Sequence, residues 1–150
     1  MKALIIEDEI RTARTLEKYL KGLHVEVVAI IPSIEEGIRF FEQSPALDII
    51  FSDIEISDGT CFDLFKEVTL PCPVIFCTAY NQYALEAFKS NGIDYIVKPF
   101  SEDNIREALE KFKRLTQKEE VKSDNHDVFE ALRQTLQLPR KRTLLVNFRD

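Results

Sequence analysis

The sequence predicts an α/β fold: a doubly wound sheet of five parallel strands with helices on both faces. Three observations carry this. Short apolar runs alternate with helix-period stripes five times along the chain, the order that produces parallel strands joined by right-handed crossover helices. Most of the runs are continuously apolar rather than alternating, as expected of strands covered on both faces. Gly22, Pro32, Pro71, Pro73 and Gly92 punctuate the pattern where one element should give way to the next.

The run KALII (2–6) is the first strand. Ile10, Ala13, Leu16 and Leu20 then recur at helical spacing, and Gly22 is expected to close that helix. VEVVAII (25–31) is β-branched and reads as the second strand, broken by Pro32 and Ser33. Ser33 and Glu36 have the spacing of a capping box, and Ile34, Ile38 and Phe41 form the stripe of the second helix. DIIFS (48–52) is the third strand, followed by a short helix through Phe62, Phe65 and Val68. PVIFC (73–77) is the fourth strand. A helix carrying Ala84, Leu85, Ala87 and Phe88 should end near Gly92. DYIV (94–97) is the fifth strand. Ser101 should cap a last helix with the stripe Ile105, Leu109, Phe112 and Leu115, whose first turn holds Glu102 and Asp103, where the helix dipole favours acids.

Beyond Leu115 the composition shifts. QKEEVKSDNHD (117–127) is almost wholly polar, VFEALRQTLQL (128–138) has Phe129, Leu132 and Leu136 at helical spacing, and PRKR breaks it. TLLVNF (143–148) then looks like a strand, but a lone strand is not a domain. The expected organisation is a body over 1–117, a linker over 118–142 with a helix at 128–138, and the first strand of a further domain at 143–150. The alternative is a terminal strand docked on the body or on a second subunit.

The bulk numbers exclude several classes. The formal net charge of −6 argues against a basic nucleic-acid footprint for the chain as a whole, although Arg140, Lys141, Arg142 and Arg149 gather at one end. Cys61, Cys72 and Cys77 are odd in number and match no metal or redox spacing, so a reducing, cytoplasmic setting is the simplest expectation. No signal peptide is expected, because the apolar run at 3–6 is short and acids follow at once. No segment approaches the roughly 18–20 apolar residues of a membrane span. Four scattered Gly fit no phosphate-binding loop.

In open parallel sheets ligands bind beyond the carboxyl ends of the strands. There the first strand ends in Glu7 and Asp8, the third in Asp53, the fourth in Thr78 and the fifth in Lys98 and Pro99. Each has a plain structural alternative: Asp8 as an N-cap, Thr78 as a cap of the following helix, Lys98 as a solvated loop residue. Together they form a set. Clustered carboxylates resist ionising together, and a hard divalent cation such as Mg2+ removes that cost. Asp8 and Asp53 suit it. A carboxylate is also a nucleophile toward phosphorus, with Lys98 and Thr78 placed to meet the phosphoryl oxygens.

The combination of IIEDE, FSDIEISDG, FCTAY and DYIVKPF resembles the receiver domain of bacterial two-component response regulators over roughly residues 2–117. FCTAYNQYALEAF and GIDYIVKPF are similar to receivers attached to LytTR-type DNA-binding domains, and RKRTLLVNFRD is similar to the opening of such a domain. The resemblance implies a flavodoxin-like sheet of strand order 2-1-3-4-5. It implies Asp53 as phosphoacceptor, Asp8 as a direct Mg2+ ligand, Glu7 acting through water, and Glu55 supplying a backbone carbonyl. Lys98 and Thr78 would contact the phosphoryl group, Pro99 would follow a cis peptide, and Tyr95 would sit at the switch position. Glu55 and Tyr80 would tune dephosphorylation. The implied partners are a sensor histidine kinase, a second copy on activation, and DNA through the C-terminal domain rather than through this part; no membrane is implied. It would be a signalling switch that catalyses only its own phosphoryl transfer and dephosphorylation.

Two departures concern the loop after the acceptor. Ser57 stands where the family usually has Pro, and Cys61 where it usually has Gly, leaving Gly59 to take the turn. Glu7–Asp8 replaces the common Asp-Asp pair. The alternative reading is a pseudo-receiver that binds proteins without phosphorylation. A phosphatase on a similar sheet is a further alternative, since Glu55 has the spacing of a general acid, but the chain lacks an insert to shield a substrate.

Overall fold

The computed structural model describes residues 1–80, 82–84, 87 and 92–122, with side chains described through 116. Five parallel strands form the main sheet: β1 (Lys2–Ile6), β2 (Glu26–Ile31), β3 (Ile49–Ser52), β6 (Val74–Thr78) and β7 (Gly92–Val97), in the order β2-β1-β3-β6-β7. The expected strand order and parallel pairing are both present. Four helices are described: α1 (Ile10–Gly22), α2 (Ile34–Phe41), α3 (Cys61–Glu67) and α4 (Glu102–Lys122).

Alternation along the strands divides the core in two. Ala3 and Ile5 of β1 face a cluster with Leu16, Leu20, Phe51, Ile105 and Leu109, under α1 and α4. Leu4 and Ile6 face the opposite cluster with Ile50, Phe62, Leu64 and Phe76, under α2 and α3. Leu4, Ile5, Ile6, Ile49, Ile50, Phe51 and Phe76 are wholly buried. Each such side chain contributes roughly 1.5–3 kcal/mol relative to remaining exposed.

The helix starts follow local chemistry. Ser33 caps α2 by accepting from the Glu36 amide at 3.2 Å. Ser101 and Asn104 exchange side-chain and backbone hydrogen bonds ahead of α4, at 2.9 and 3.1 Å. Gly22 closes α1 as expected: it is the last helical residue, and the positive φ that follows falls at His24 (65°). The α4 helix runs to Lys122, past the expected boundary at 117, because Gln, Lys and Glu have high intrinsic helix propensity.

A feature not foreseen is a small antiparallel hairpin between β3 and α3, made of β4 (Glu55–Ile56) and β5 (Gly59–Thr60). Gly59 takes its turn at φ 150°, where an added Cβ would lie 2.7 Å from Ile34 Cδ1. Asp58 accepts from the Ile34 and Glu35 amides at 2.7 and 3.2 Å, so the hairpin is fixed to the start of α2. The Ser57 hydroxyl adds a bond to the Pro32 carbonyl at 3.0 Å. Leu85 and Phe88 of the expected fourth helix, the helix at 128–138 and the strand at 143–148 lie outside the described residues. Among the described residues no helix is long and apolar enough to cross a membrane.

Candidate functional site

The sheet itself assembles the site. Its backbone ladder continues one step past three strands: Glu7 N–H donates to Ile31 O (2.9 Å), Asp53 N–H to Ile6 O (2.8 Å), and Lys98 N–H to Thr78 O (2.7 Å). Glu7, Asp53, Thr78 and Lys98 therefore share one carboxyl edge, although nearly a hundred residues of chain separate the first from the last. Glu7, Asp53 and Thr78 are the polar residues that remain buried there, with Ser52 just beneath.

Lys98 Nζ is the hub. It donates to Glu7 Oε1 at 2.8 Å and to Asp53 Oδ2 at 2.9 Å. The second oxygen of each acid is also held: the Ile54 amide donates to Asp53 Oδ1 at 2.6 Å and the Glu9 amide to Glu7 Oε2 at 3.1 Å. The Ser52 hydroxyl fixes the Asp53 carbonyl at 2.7 Å. Asp53 is thus pre-oriented by its own backbone and by a cation from across the sheet.

Charge is unbalanced at this edge. Burial pushes the Glu7 carboxyl above its ordinary range, outweighing its bonds to Lys98 and the Glu9 amide, and the nearby Asp53 charge pushes the same way. Burial pulls Lys98 down, but its bonds to Glu7 and Asp53 prevail and leave its pKa raised. Carboxylate oxygens of Glu7, Asp8 and Asp53 lie within 4.8 Å of one another, and the Lys98 ammonium pairs with two of the three acids, Glu7 and Asp53. Asp8 is exposed and does not cap α1; Glu9 holds the N-cap position, without a side-chain cap bond. An all-oxygen donor set with excess negative charge fits a hard divalent cation.

The remaining expected residues surround this centre. Thr78 is fully buried, and its Oγ1 accepts from the Tyr80 amide at 3.4 Å. The Lys98–Pro99 peptide is cis. Tyr95 donates its hydroxyl to the Tyr80 carbonyl and packs on Phe76, and burial raises its pKa. The Glu55 side chain is exposed and accepts from the Tyr83 hydroxyl at 3.0 Å. Neither Tyr83 nor Asp58 was singled out from the sequence. Both act on residues more than twenty positions away, and no local spacing reveals such partners.

Residues 3–110 match the family of the response regulator receiver domain. The chain belongs to that family. Sensory transduction protein LytT of Bacillus cereus is 36% identical to this receiver over 133 residues, covering 85% of this chain and 52% of that protein. Transcriptional regulatory protein LytR of Staphylococcus aureus is 35% identical over 128 residues, covering 80% of this chain and 50% of that protein. The chain spans about half the length of these curated relatives. Among solved structures, the response regulatory domain of mrkE from Klebsiella pneumoniae aligns with a TM-score of 0.69 and 28% identity, covering 79% of this chain and 99% of that one.

Proposed function

We propose that this receiver is a phosphorylation switch with Asp53 as phosphoacceptor. The observation that carries the reading is the Lys98 ammonium bridging Asp53 and Glu7 beside Asp8, at the carboxyl edge of the sheet. A sensor histidine kinase presents a phosphohistidine. An Asp53 carboxylate oxygen forms a bond to phosphorus as the P–N bond breaks, and that electron pair returns to the imidazole nitrogen. Lys98 pairs with the transferred phosphoryl oxygens and the Thr78 hydroxyl donates to one of them. Asp8, Asp53 and the Glu55 carbonyl would hold Mg2+, with Glu7 acting through water. Bound there, the ion offsets the charge of the phosphoryl group.

The added charge draws Thr78 and Lys98 toward Asp53, and Tyr95 changes rotamer. The surface around β7 and α4 changes with it, a bistable element biased by a local charge event. The output is dimerisation, which places C-terminal DNA-binding domains on DNA and regulates transcription. Residues 143–150, which lie outside the described residues, would open that domain. The receiver itself catalyses only its own phosphorylation and dephosphorylation.

The test is intact-protein mass after incubation with acetyl phosphate and Mg2+. Wild type should gain one phosphoryl group and Asp53→Asn none, with the fold of the variant intact by circular dichroism. Equal labelling of the two proteins would sink the assignment.

A further inference from the structure

The β3 strand ends at Ser52, one residue short of Asp53, and the chain beyond it is held bond by bond. The Asp53 N–H donates to the Ile6 carbonyl at 2.8 Å, and the Ile54 carbonyl accepts from the Cys61 N–H at 2.8 Å. Between them lies the Asp53–Ile54 peptide. Its carbonyl stands past the end of the paired strand, and the donor it finds there is the Ser52 hydroxyl, at 2.7 Å. Its N–H donates to Asp53 Oδ1 at 2.6 Å. A peptide unit is planar and trans, so its C=O and N–H point in opposite directions and turn together. The hydroxyl that fixes one end therefore aims the other. Ser52 is buried, where a hydroxyl needs a partner and keeps it. The Cys61 thiol lies beside the same hydroxyl and, as a weak acceptor, leaves the proton to the carbonyl.

We infer that Ser52 is a positioning residue for phosphoryl transfer: through the Asp53–Ile54 peptide it holds Asp53 Oδ1 on the Ile54 amide and so fixes the plane of the carboxylate that attacks phosphorus. The inference rests on the phosphoacceptor reading above. Lys98 Nζ grips the other oxygen, Oδ2, at 2.9 Å from across the sheet. With both oxygens held, the carboxylate is presented in one orientation. From acetyl phosphate, an Asp53 oxygen forms a bond to phosphorus as the P–O bond to the acetyl group breaks, and that electron pair leaves on acetate. Ser52 acts on this step through the main chain. Without its hydroxyl the peptide can turn, the Ile54 amide leaves Oδ1, and the carboxylate spends less time aligned for in-line attack.

The experiment uses the whole chain. The rate of phosphorylation by acetyl phosphate with Mg2+ is followed by intact mass, and the Ile54 amide proton by NMR, in wild type and three variants. Ser52→Ala removes the donor. Ser52→Cys, kept reduced, fills nearly the same space with a weak donor. Ser52→Thr keeps the hydroxyl on a side chain suited to a strand. Ser52→Ala should slow phosphorylation about fivefold, the fold-change of one neutral hydrogen bond, and move the Ile54 amide proton upfield. Ser52→Cys should change both readouts in the same direction, and Ser52→Thr should leave both near wild type. Because Cys preserves the packing, it reads the bond even where Ala fails to fold. A wild-type rate in Ser52→Cys overturns the inference. So does equal slowing in Cys and Thr, since packing and not the bond would then be the cause. Slowing with the Ile54 amide unmoved overturns it as well. If wild type gains no phosphoryl group while the Ile54 amide still responds to these substitutions, the phosphoacceptor reading falls first and this inference with it, so the two failures are distinct.

Discussion

One residue separates the interior of the sheet from its carboxyl edge. Ile6 is 0% exposed and Glu7 5%; Phe51 is 0% exposed and Asp53, two positions on, is 8%. Burial is nearly the same on the two sides of that step, yet its consequences are opposite. For Ile6 and Phe51, leaving water is favourable and close packing secures it. For Glu7 and Asp53, leaving water is costly, and the cost is offset through Lys98 and backbone amides. The interior holds the fold, and the edge holds charge that a further cation or a transferred group can rearrange. A site of this kind must sit at the rim, because only there can buried acids meet both the rigid sheet and a ligand.

The contrast can be broken experimentally. Its strongest arm is the interior: Phe51→Ala should cost about 3–5 kcal/mol in urea unfolding, through lost burial and the cavity left behind. That loss should be level with pH, since no titrating group is removed. Next is the edge. Lys98→Gln removes two charge-assisted hydrogen bonds and should cost about 2 kcal/mol at neutral pH, discounted for the partial exposure of the lysine. Here the loss should depend on pH. Lys98 binds its proton more tightly folded than unfolded, so its contribution is full below the ordinary value of 10.5 and is lost as pH rises through the higher folded value. The stability gap between wild type and variant should therefore close above that pH. A gap that stays level or widens there would erase the distinction between the two regions.

The smallest effect is expected at the hairpin that hangs from the edge. Asp58→Ala leaves the Ile34 and Glu35 amides without their acceptor and should cost about 1 kcal/mol, with faster amide hydrogen exchange in the first turn of α2. Unchanged exchange there would mean that Ser33 alone is sufficient to cap the helix.

Five strands and the strand-end positions of Glu7, Asp8, Asp53, Thr78 and Lys98 were legible because apolar runs and their polar ends are local signals; the strand order followed only from the resemblance to the receiver family. The end of α1 at Gly22 was legible too, although the left-handed position that follows the helix falls on His24, which no local signal marks. The hairpin of β4 and β5 went unseen because two-residue strands carry no period.

What the sequence by itself determined is therefore the sheet and the roll of polar residues at its edge. Period and polarity are properties of neighbours along the chain. What only the tertiary structure decided is which of those residues touch. Lys98 could as readily have faced solvent; parallel pairing of β7 beside β6, and of β3 beside β1, brings it to Glu7 and Asp53 together. The same holds for Tyr83 on Glu55 and Asp58 on α2, bonds between segments 28 and 24 residues apart. Hydrogen bonds are directional and short, so partners at such separations are chosen by the packing of whole elements and leave no trace in local pattern.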